Sequence, residues 1–251
     1  RQMCIRDRSY PGWHIECSAM SKRFLGENFD IHTGGVDHIP VHHENEIAQC
    51  KGAFGHNPAN FWMHVEFLLI DNGKMSKSLH NIYRIVDLKE KGIEALAYRL
   101  FCFSAHYRNK LNFTFEGAKS AQTSLNKLRK LYILNKNSDT KIDDNILVEA
   151  ENKFNEAVND DLNLPLAMGI VWDLLKNETK SKQIAELIIK FDKILGLDLI
   201  NSEKYQIEET IEIPEEIELL AKQRIEAKQN KDYQRADELR AEVINRGYNI
   251  K

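Results

Sequence analysis

All nine histidines lie between His14 and His106, and nine of the twelve glycines lie at or before Gly117. That asymmetry constrains the fold more than any other feature. Imidazoles build sites that bind metals or move protons. Glycines let a backbone turn sharply or approach a ligand closely, and they are costly inside helices. The first part of the chain is therefore expected to carry the chemistry. The remainder, with no histidine and only Gly169, Gly196 and Gly247, is expected to be mostly helical scaffold.

Composition narrows the class. The 251 residues suit one to two domains. With 42% hydrophobic and 29% charged residues the chain is ordinary globular material, neither disordered nor collagen-like. No apolar run approaches a membrane span, and mean hydropathy is −0.49. The net charge of −3 gives no global attraction to nucleic acid, although a local RNA contact stays open. Cys4, Cys17, Cys50 and Cys102 form no CxxC pair, which fits reduced thiols and a cytoplasmic protein. The opening RQMCIRDRSY has no apolar signal segment and no initial Met, so the chain reads as cut at its start.

Periodicity gives the elements. A turn and helix are expected over Pro11–Gly26, a strand over Phe29–Thr33 and a helix from Pro40 to Cys50. Alternation of Val65, Phe67 and Leu69 predicts one strand over His64–Ile70, followed by a tight turn at Asn72-Gly73. Helical spacing then covers Ile93–His106, Phe115–Leu134, Leu147–Val158, Pro165–Lys176 and Gln183–Leu195. Lys136–Asp144 is expected as a loop and Asn201–Pro214 as a charged connector. A helical hairpin is expected from Pro214. Its first arm carries Ile217, Leu220 and Ile225; Asp232 caps the second, which carries Ala236, Leu239 and Val243 and stops at Gly247. Its eight acidic and eight basic residues balance, leaving no evident footprint for RNA.

Three constellations could act chemically. His42 and Glu46 are four apart, on one side of a helix, and with Cys17 would make a nitrogen, oxygen and sulfur set for zinc. An isolated His-x-x-x-Glu is more often a plain helix-surface pair, and the metalloprotease pattern fails because Ile47 follows His43 by four. Lys74-Met75-Ser76-Lys77-Ser78, after a tight turn, could grip polyphosphate or be a solvated loop. Trp13 could wall a pocket beside Gly12, but core packing is the commoner role for tryptophan. Cys50 and Cys102 read as core thiols. His106-Tyr107-Arg108 could touch phosphate or end a helix.

Taken together, these segments resemble one family. Pro11–Met20 resembles the signature around a zinc cysteine of cysteinyl-tRNA synthetases, and Asp30–Asp37 followed by His42–Gln49 resembles the next block. Lys74–Ser78 matches the second signature of class I aminoacyl-tRNA synthetases, and His106–Arg108 and Asp160–Asn163 are similar to the family's helical part. The resemblance implies a partial Rossmann-like α/β catalytic domain, then an α-helical bundle and a C-terminal helical hairpin. It divides the chain into a leader at 1–10 unlike the family, a catalytic portion at 11–86, a tRNA-binding bundle at 87–200 and a connector with a small domain at 201–251.

By resemblance, Cys17, His42 and Glu46 match ligands of one zinc ion per subunit. Lys77 matches the ATP-contacting lysine, with Lys74 supporting the same phosphates. Trp13, His32, Gly34, Gly35 and Asp37 match the cysteine and adenylate pocket. The family activates L-cysteine with ATP and Mg²⁺ and passes it to the 3′ end of its tRNA; a monomer away from membranes is implied. The first class I signature, His-Ile-Gly-His, and the first zinc cysteine are absent from these residues, and Cys4 is not a substitute. The chain is thus expected to be a C-terminal fragment, inactive alone. Two alternatives remain: a mycothiol-type ligase joining cysteine to an amino-sugar, and a non-catalytic tRNA- or zinc-binding fragment.

Overall fold

The computed structural model describes residues 12–205, 215–229 and 232–246. The expected leader at 1–10, residues 206–214 of the expected 201–214 connector and the stop at Gly247 lie outside the described residues. The chain divides into two units, Arg1–Ile207 and Glu208–Lys251.

The first unit opens with α1 (Trp13–Leu25), stopped by Gly26 at φ +98°, a conformation costly for any other residue. Strand β1 (Phe29–Gly35) extends two residues beyond the expected strand and includes both glycines of the pair. A 3₁₀ turn (Val36–His38) and a π-helical turn (Ile39–His43) lead into α2 (Glu44–Phe54). The helix expected from Pro40 therefore starts wide, a feature frequent at functional sites. Strand β2 (Ala59–Val65) runs parallel to β1, pairing Ile31 with Phe61, His32 with Trp62 and Gly34 with His64.

The single strand expected over His64–Ile70 is two strands in two sheets. After β2 ends at Val65, Glu66 donates its N–H to the Tyr107 carbonyl, and β3 (Leu68–Ile70) begins a second sheet. Val65 and Phe67 are each 45% exposed, so their alternation marks no buried face. The tight turn is Asp71-Asn72, both at positive φ, and Gly73 opens β4 (Gly73–Lys74), where it pairs with Ile70. After α3 (Ile85–Glu90) and α4 (Ala95–Cys102), shorter than expected, β5 (Leu111–Phe113) pairs parallel with β3. Residues on both sides of position 86/87 therefore share one sheet, and Ile70, Leu88 and Phe113 share one core.

Helices supply the rest of this unit. They are α5 (Phe115–Lys136), α6 (Asp144–Asn159), α7 (Leu164–Lys176) and α8 (Lys182–Leu195), and a 3₁₀ segment (Leu199–Lys204) follows. Side chains cap these starts: Thr114 Oγ1 accepts from Gly117 N at 2.9 Å, and Asp143 Oδ1 from Asn145 N at 2.9 Å. Leu125, Leu128, Phe154, Leu175, Ile184 and Ile188 are fully buried, each burial stabilising by roughly 1.5–3 kcal/mol. The rings of Phe154 and Phe191 stack at 3.9 Å.

The second unit is α9 (Glu215–Gln229) and α10 (Tyr233–Asn245). Asp232 caps α10, and Ala236, Leu239 and Val243 are buried with Ile217. Ile225, expected on the apolar face, is instead 54% exposed. Among the described residues no helix is long and apolar enough to cross a membrane.

Candidate functional site

The parallel pair β1–β2 places one face of each strand beside the start of α2. Period-two alternation puts His32 and Gly34 of β1 on the same side as Trp62 and His64 of β2, in direct register. Into this face comes the π-helical turn carrying His42 and His43, followed one turn later by Glu46. Helix α1 brings Cys17, completing a group in which the ligand atoms of Cys17, His42 and Glu46 lie within 4.8 Å of one another. The spacing read from sequence is realised: His42 Nε2 stands 3.9 Å from Glu46 Oε1.

Glu46 and His43 are buried, at 2% and 3% exposure. His32 Nε2 lies 2.8 Å from Glu46 Oε2, and His43 Nδ1 lies 2.8 Å from His64 Nε2. Burial first, and then the neighbouring His32, pull the His43 imidazole down to about 4, so it is neutral near pH 7. Burial, with His32 and His38 adding, lowers His64 too. Burial, helped by the carboxylates of Glu46 and Glu16, raises the Cys17 thiol. A cation beside that sulfur would oppose the rise, because thiolate is the ligating form. The donor set fits zinc: one thiolate, one imidazole and one carboxylate are its usual protein ligands.

Gly34 shows why glycine occupies this strand. A Cβ there would stand 2.6 Å from His43 Cε1 and 2.8 Å from His38 Nδ1. At Gly35 it would meet Asp37 Oδ1 at 2.3 Å, so Asp37 folds back over the strand end. Trp13 is not core: it is 73% exposed, edge-on to His42 with ring centroids 6.0 Å apart.

His38, His43, Trp62 and His64 join this cluster although no local pattern in the sequence marks them. The Trp62 ring sits 4.8 Å from His32 and 4.9 Å from His43. The missed signal was register: Trp62 and His64 are two apart on a strand, as His32 and Gly34 are. Cys50 is buried as expected, while Cys102 is half-buried and lines a cavity of about 340 Å³ with Met63, Val65 and Leu162.

Lys74 and Lys77 are exposed on the segment leaving β4. Asn81 pins that loop: its Oδ1 accepts from Ser76 N at 2.8 Å, and its Nδ2 donates to the Lys74 carbonyl at 3.0 Å. Ser76 Oγ accepts from Leu79 N, and Lys77 O accepts from His80 N. His106-Tyr107-Arg108 meets Asp161. The Tyr107 hydroxyl donates to Asp161 Oδ1, Arg108 Nε donates to Oδ2, and His106 Nε2 bonds the Asp161 carbonyl at 2.9 Å. The Arg108 guanidinium and the Tyr107 hydroxyl hold the Asp161 carboxyl below its ordinary value. Asp161 and Leu162 both have positive φ, a strained pair secured by this latch.

Residues 6–123 match the family described as the tRNA synthetases class I (C) catalytic domain, beginning inside the segment set apart as a leader. The chain is 43% identical over 246 residues to cysteine--tRNA ligase 1 of Burkholderia lata, covering 97% of this chain and 50% of that protein. It is 39% identical over 254 residues to the cysteine--tRNA ligase of Brachyspira hyodysenteriae (96% and 54%). The chain spans about half the length of the curated relatives it matches. A LeuRS–tRNA–LeuAMS ternary complex from Agrobacterium radiobacter has the same fold over 69% of this chain and 26% of its own, at TM-score 0.53 and 16% identity. Over residues 6–123 the chain is similar to the class I tRNA synthetases, and over nearly its whole length it is similar to the cysteine--tRNA ligases.

Proposed function

We propose that this chain is a segment of a cysteine–tRNA ligase, which activates L-cysteine with ATP and transfers it to the 3′ end of tRNA(Cys). The observation that carries the reading is the convergence of Cys17, His42 and Glu46 from α1, the π-helical turn and α2. These residues would hold zinc. When bound, zinc supplies a thiophilic centre that prefers the substrate sulfur to the hydroxyl of serine. A site built around a ligand that serine cannot supply discriminates far better than an apolar pocket measuring a methylene.

The chain's own residues do the rest. Trp13 walls the mouth of the site, and Gly34 and Gly35 let substrate approach the strand ends. Asp37 and His32 offer polar contacts to the bound cysteine and its adenylate. Lys77, with Lys74, neutralises the phosphates of Mg²⁺-ATP, and the adenylation step needs mainly this positioning and charge compensation. The exposed loop suits lysines that must follow moving charge. Residues 11–86 would serve as the second half of the catalytic domain, 87–200 as a tRNA-binding bundle and 201–251 as a small C-terminal domain. The working protein would be a cytoplasmic monomer.

The 251 residues by themselves are expected not to activate cysteine, because they contain no His-Ile-Gly-His segment. Cysteine-dependent ATP–pyrophosphate exchange tests this, and measurable exchange by this chain alone would contradict it. The ligand set is tested separately. A tightly held equivalent of zinc should survive dialysis in the native chain and be lost in Cys17→Ala. Retention at full affinity in that variant would remove the set.

A further inference from the structure

Two segments singled out in the sequence, His106–Arg108 and Asp160–Asn163, have no part in the chemistry above, yet they meet each other. Asp161, in the turn between α6 and α7, takes the Tyr107 hydroxyl and the Arg108 guanidinium on its carboxylate. His106 accepts the Arg108 N–H on Nδ1 at 3.2 Å and donates Nε2–H to the Asp161 carbonyl at 2.9 Å. Just beyond Arg108 the chain enters β5, where Asn112 is half-buried and its Oδ1 accepts from Asn72 N at 2.7 Å. Asn72 belongs to the positive-φ turn that precedes β4, and β4 ends at Lys74. We propose that Asn112 and Asp161 are positioning residues for Lys74 and Lys77. Asn112 fixes the turn from which the lysine segment leaves, and Asp161 fixes the strand that carries Asn112. This role rests on the reading of the two lysines as the phosphate-binding pair.

Three observations support it. First, Asp71 and Asn72 lie at φ +48° and +63°, and two consecutive non-glycine residues persist there only when their surroundings hold them. Both holds come from β5: the Asn112 side chain takes the Asn72 N–H, and the Phe113 carbonyl takes the Asp71 N–H at 3.0 Å. Second, the same turn sets the lysine segment, because β4 is only Gly73–Lys74 and pairs with Ile70 and Leu69 directly across the turn. Asn81 shapes the loop beyond Lys74 from within, whereas the turn decides where that loop begins. Third, β5 is only Leu111–Phe113, too short to be placed by its ladder alone. Its far end is anchored by buried Phe113, and its near end follows the residues that Asp161 grips. A connection therefore runs from the α6–α7 turn through β5 to the lysines, made of named hydrogen bonds.

Amide exchange and nitrogen–proton spectra of the 251-residue chain test this. Asn112→Ala should speed exchange of the Asn72 amide by about tenfold, the scale of one lost hydrogen bond. Asn112→Asp keeps an acceptor for that N–H and should restore the native rate. Asp161→Ala touches neither the turn nor the loop, yet should speed Asn72 by about threefold while the α8 core amides keep their rates. Should Asp161→Ala fail to fold, Asp161→Asn removes the charge opposite Arg108 and should act in the same direction. Mg²⁺-ATP is then titrated. It should move the Lys74 and Lys77 amide resonances of the native chain. Its dissociation constant should rise by about threefold in Asn112→Ala and in Asp161→Ala, and recover in Asn112→Asp. Unchanged Asn72 exchange in both Asp161 variants overturns the proposal, with Phe113 then sufficient to place β5. Equal ATP affinity in the native chain, Asn112→Ala and Asp161→Ala overturns it as well. If ATP leaves the lysine resonances of the native chain unmoved while Asn72 exchange follows both variants, the positioning stands and the phosphate-binding reading of the lysines fails.

Discussion

The densest demands on individual residues fall where imidazoles crowd a strand. Gly34 is required by space, not backbone conformation, since a Cβ would meet two histidine rings at under 3 Å. Gly34→Ala should push His43 and His38 off their positions and destabilise by about 1–3 kcal/mol, as overpacking does. Its metal affinity should fall with it, and a denaturant titration paired with a zinc-competition assay reads both. Far from the site, Arg129 is fully buried, with its Nη atoms paired to both Glu94 oxygens and its guanidinium 3.5 Å from the Tyr205 ring. Glu94→Gln would remove the carboxylate that both Nη atoms bind, at a cost of about 3–5 kcal/mol. The Arg129 hydrogen bonds hold the Glu94 carboxyl below its ordinary value of 4.5. A depressed carboxyl stabilises the fold fully above its unfolded pKa, and that contribution disappears as pH falls through the lower folded value. Denaturation midpoints measured from pH 7 down to 3 should therefore drop below about pH 4.5, and less steeply in Glu94→Gln. An unchanged slope in the variant would assign the acid sensitivity elsewhere.

At the scale of elements, the lysine loop depends on one side chain. Asn81 bridges Ser76 N–H and the Lys74 carbonyl, shaping the stretch between the two lysines without touching either ammonium. Asn81→Ala removes two hydrogen bonds, each worth roughly 0.5–1.5 kcal/mol net. Exchange of the Ser76 amide should then accelerate about ten- to a hundredfold, with the α5–α8 core amides unaffected. Unchanged exchange at Ser76 would show the loop held by other contacts. Helices were legible from sequence because apolar spacings and caps are local: Asp232 caps the helix start its position predicts, and the structure adds Thr114 and Asp143 as caps of two others. Strands were less so. Val65 and Phe67 alternate like one strand, yet the chain changes sheets between them, guided by a hydrogen bond from Glu66 to Tyr107, 41 residues away. No pattern inside the segment encodes that partner.

At the scale of the whole molecule, the crowding of histidines and glycines before Gly117 now has a structural cause. Six of the nine histidines, His14, His32, His38, His42, His43 and His64, are linked by ring contacts around α1, β1, β2 and the start of α2. Cys17, His42 and Glu46 were legible as a set because two share a helix turn and the third sits in a recognisable segment. His43, His64 and Trp62 were not, because only the parallel register of β1 and β2 brings them together. The histidine-free remainder is the helical scaffold that its glycine scarcity implies. The central claim is that Cys17, His42 and Glu46 hold a zinc ion that reads the sulfur of cysteine. X-ray absorption at the zinc edge tests it most directly, on the chain loaded with one equivalent and then given L-cysteine or L-serine. A single sulfur at about 2.3 Å that becomes two with cysteine and stays one with serine is the expected result. A first shell without sulfur, or one that cysteine leaves unchanged, would contradict the account.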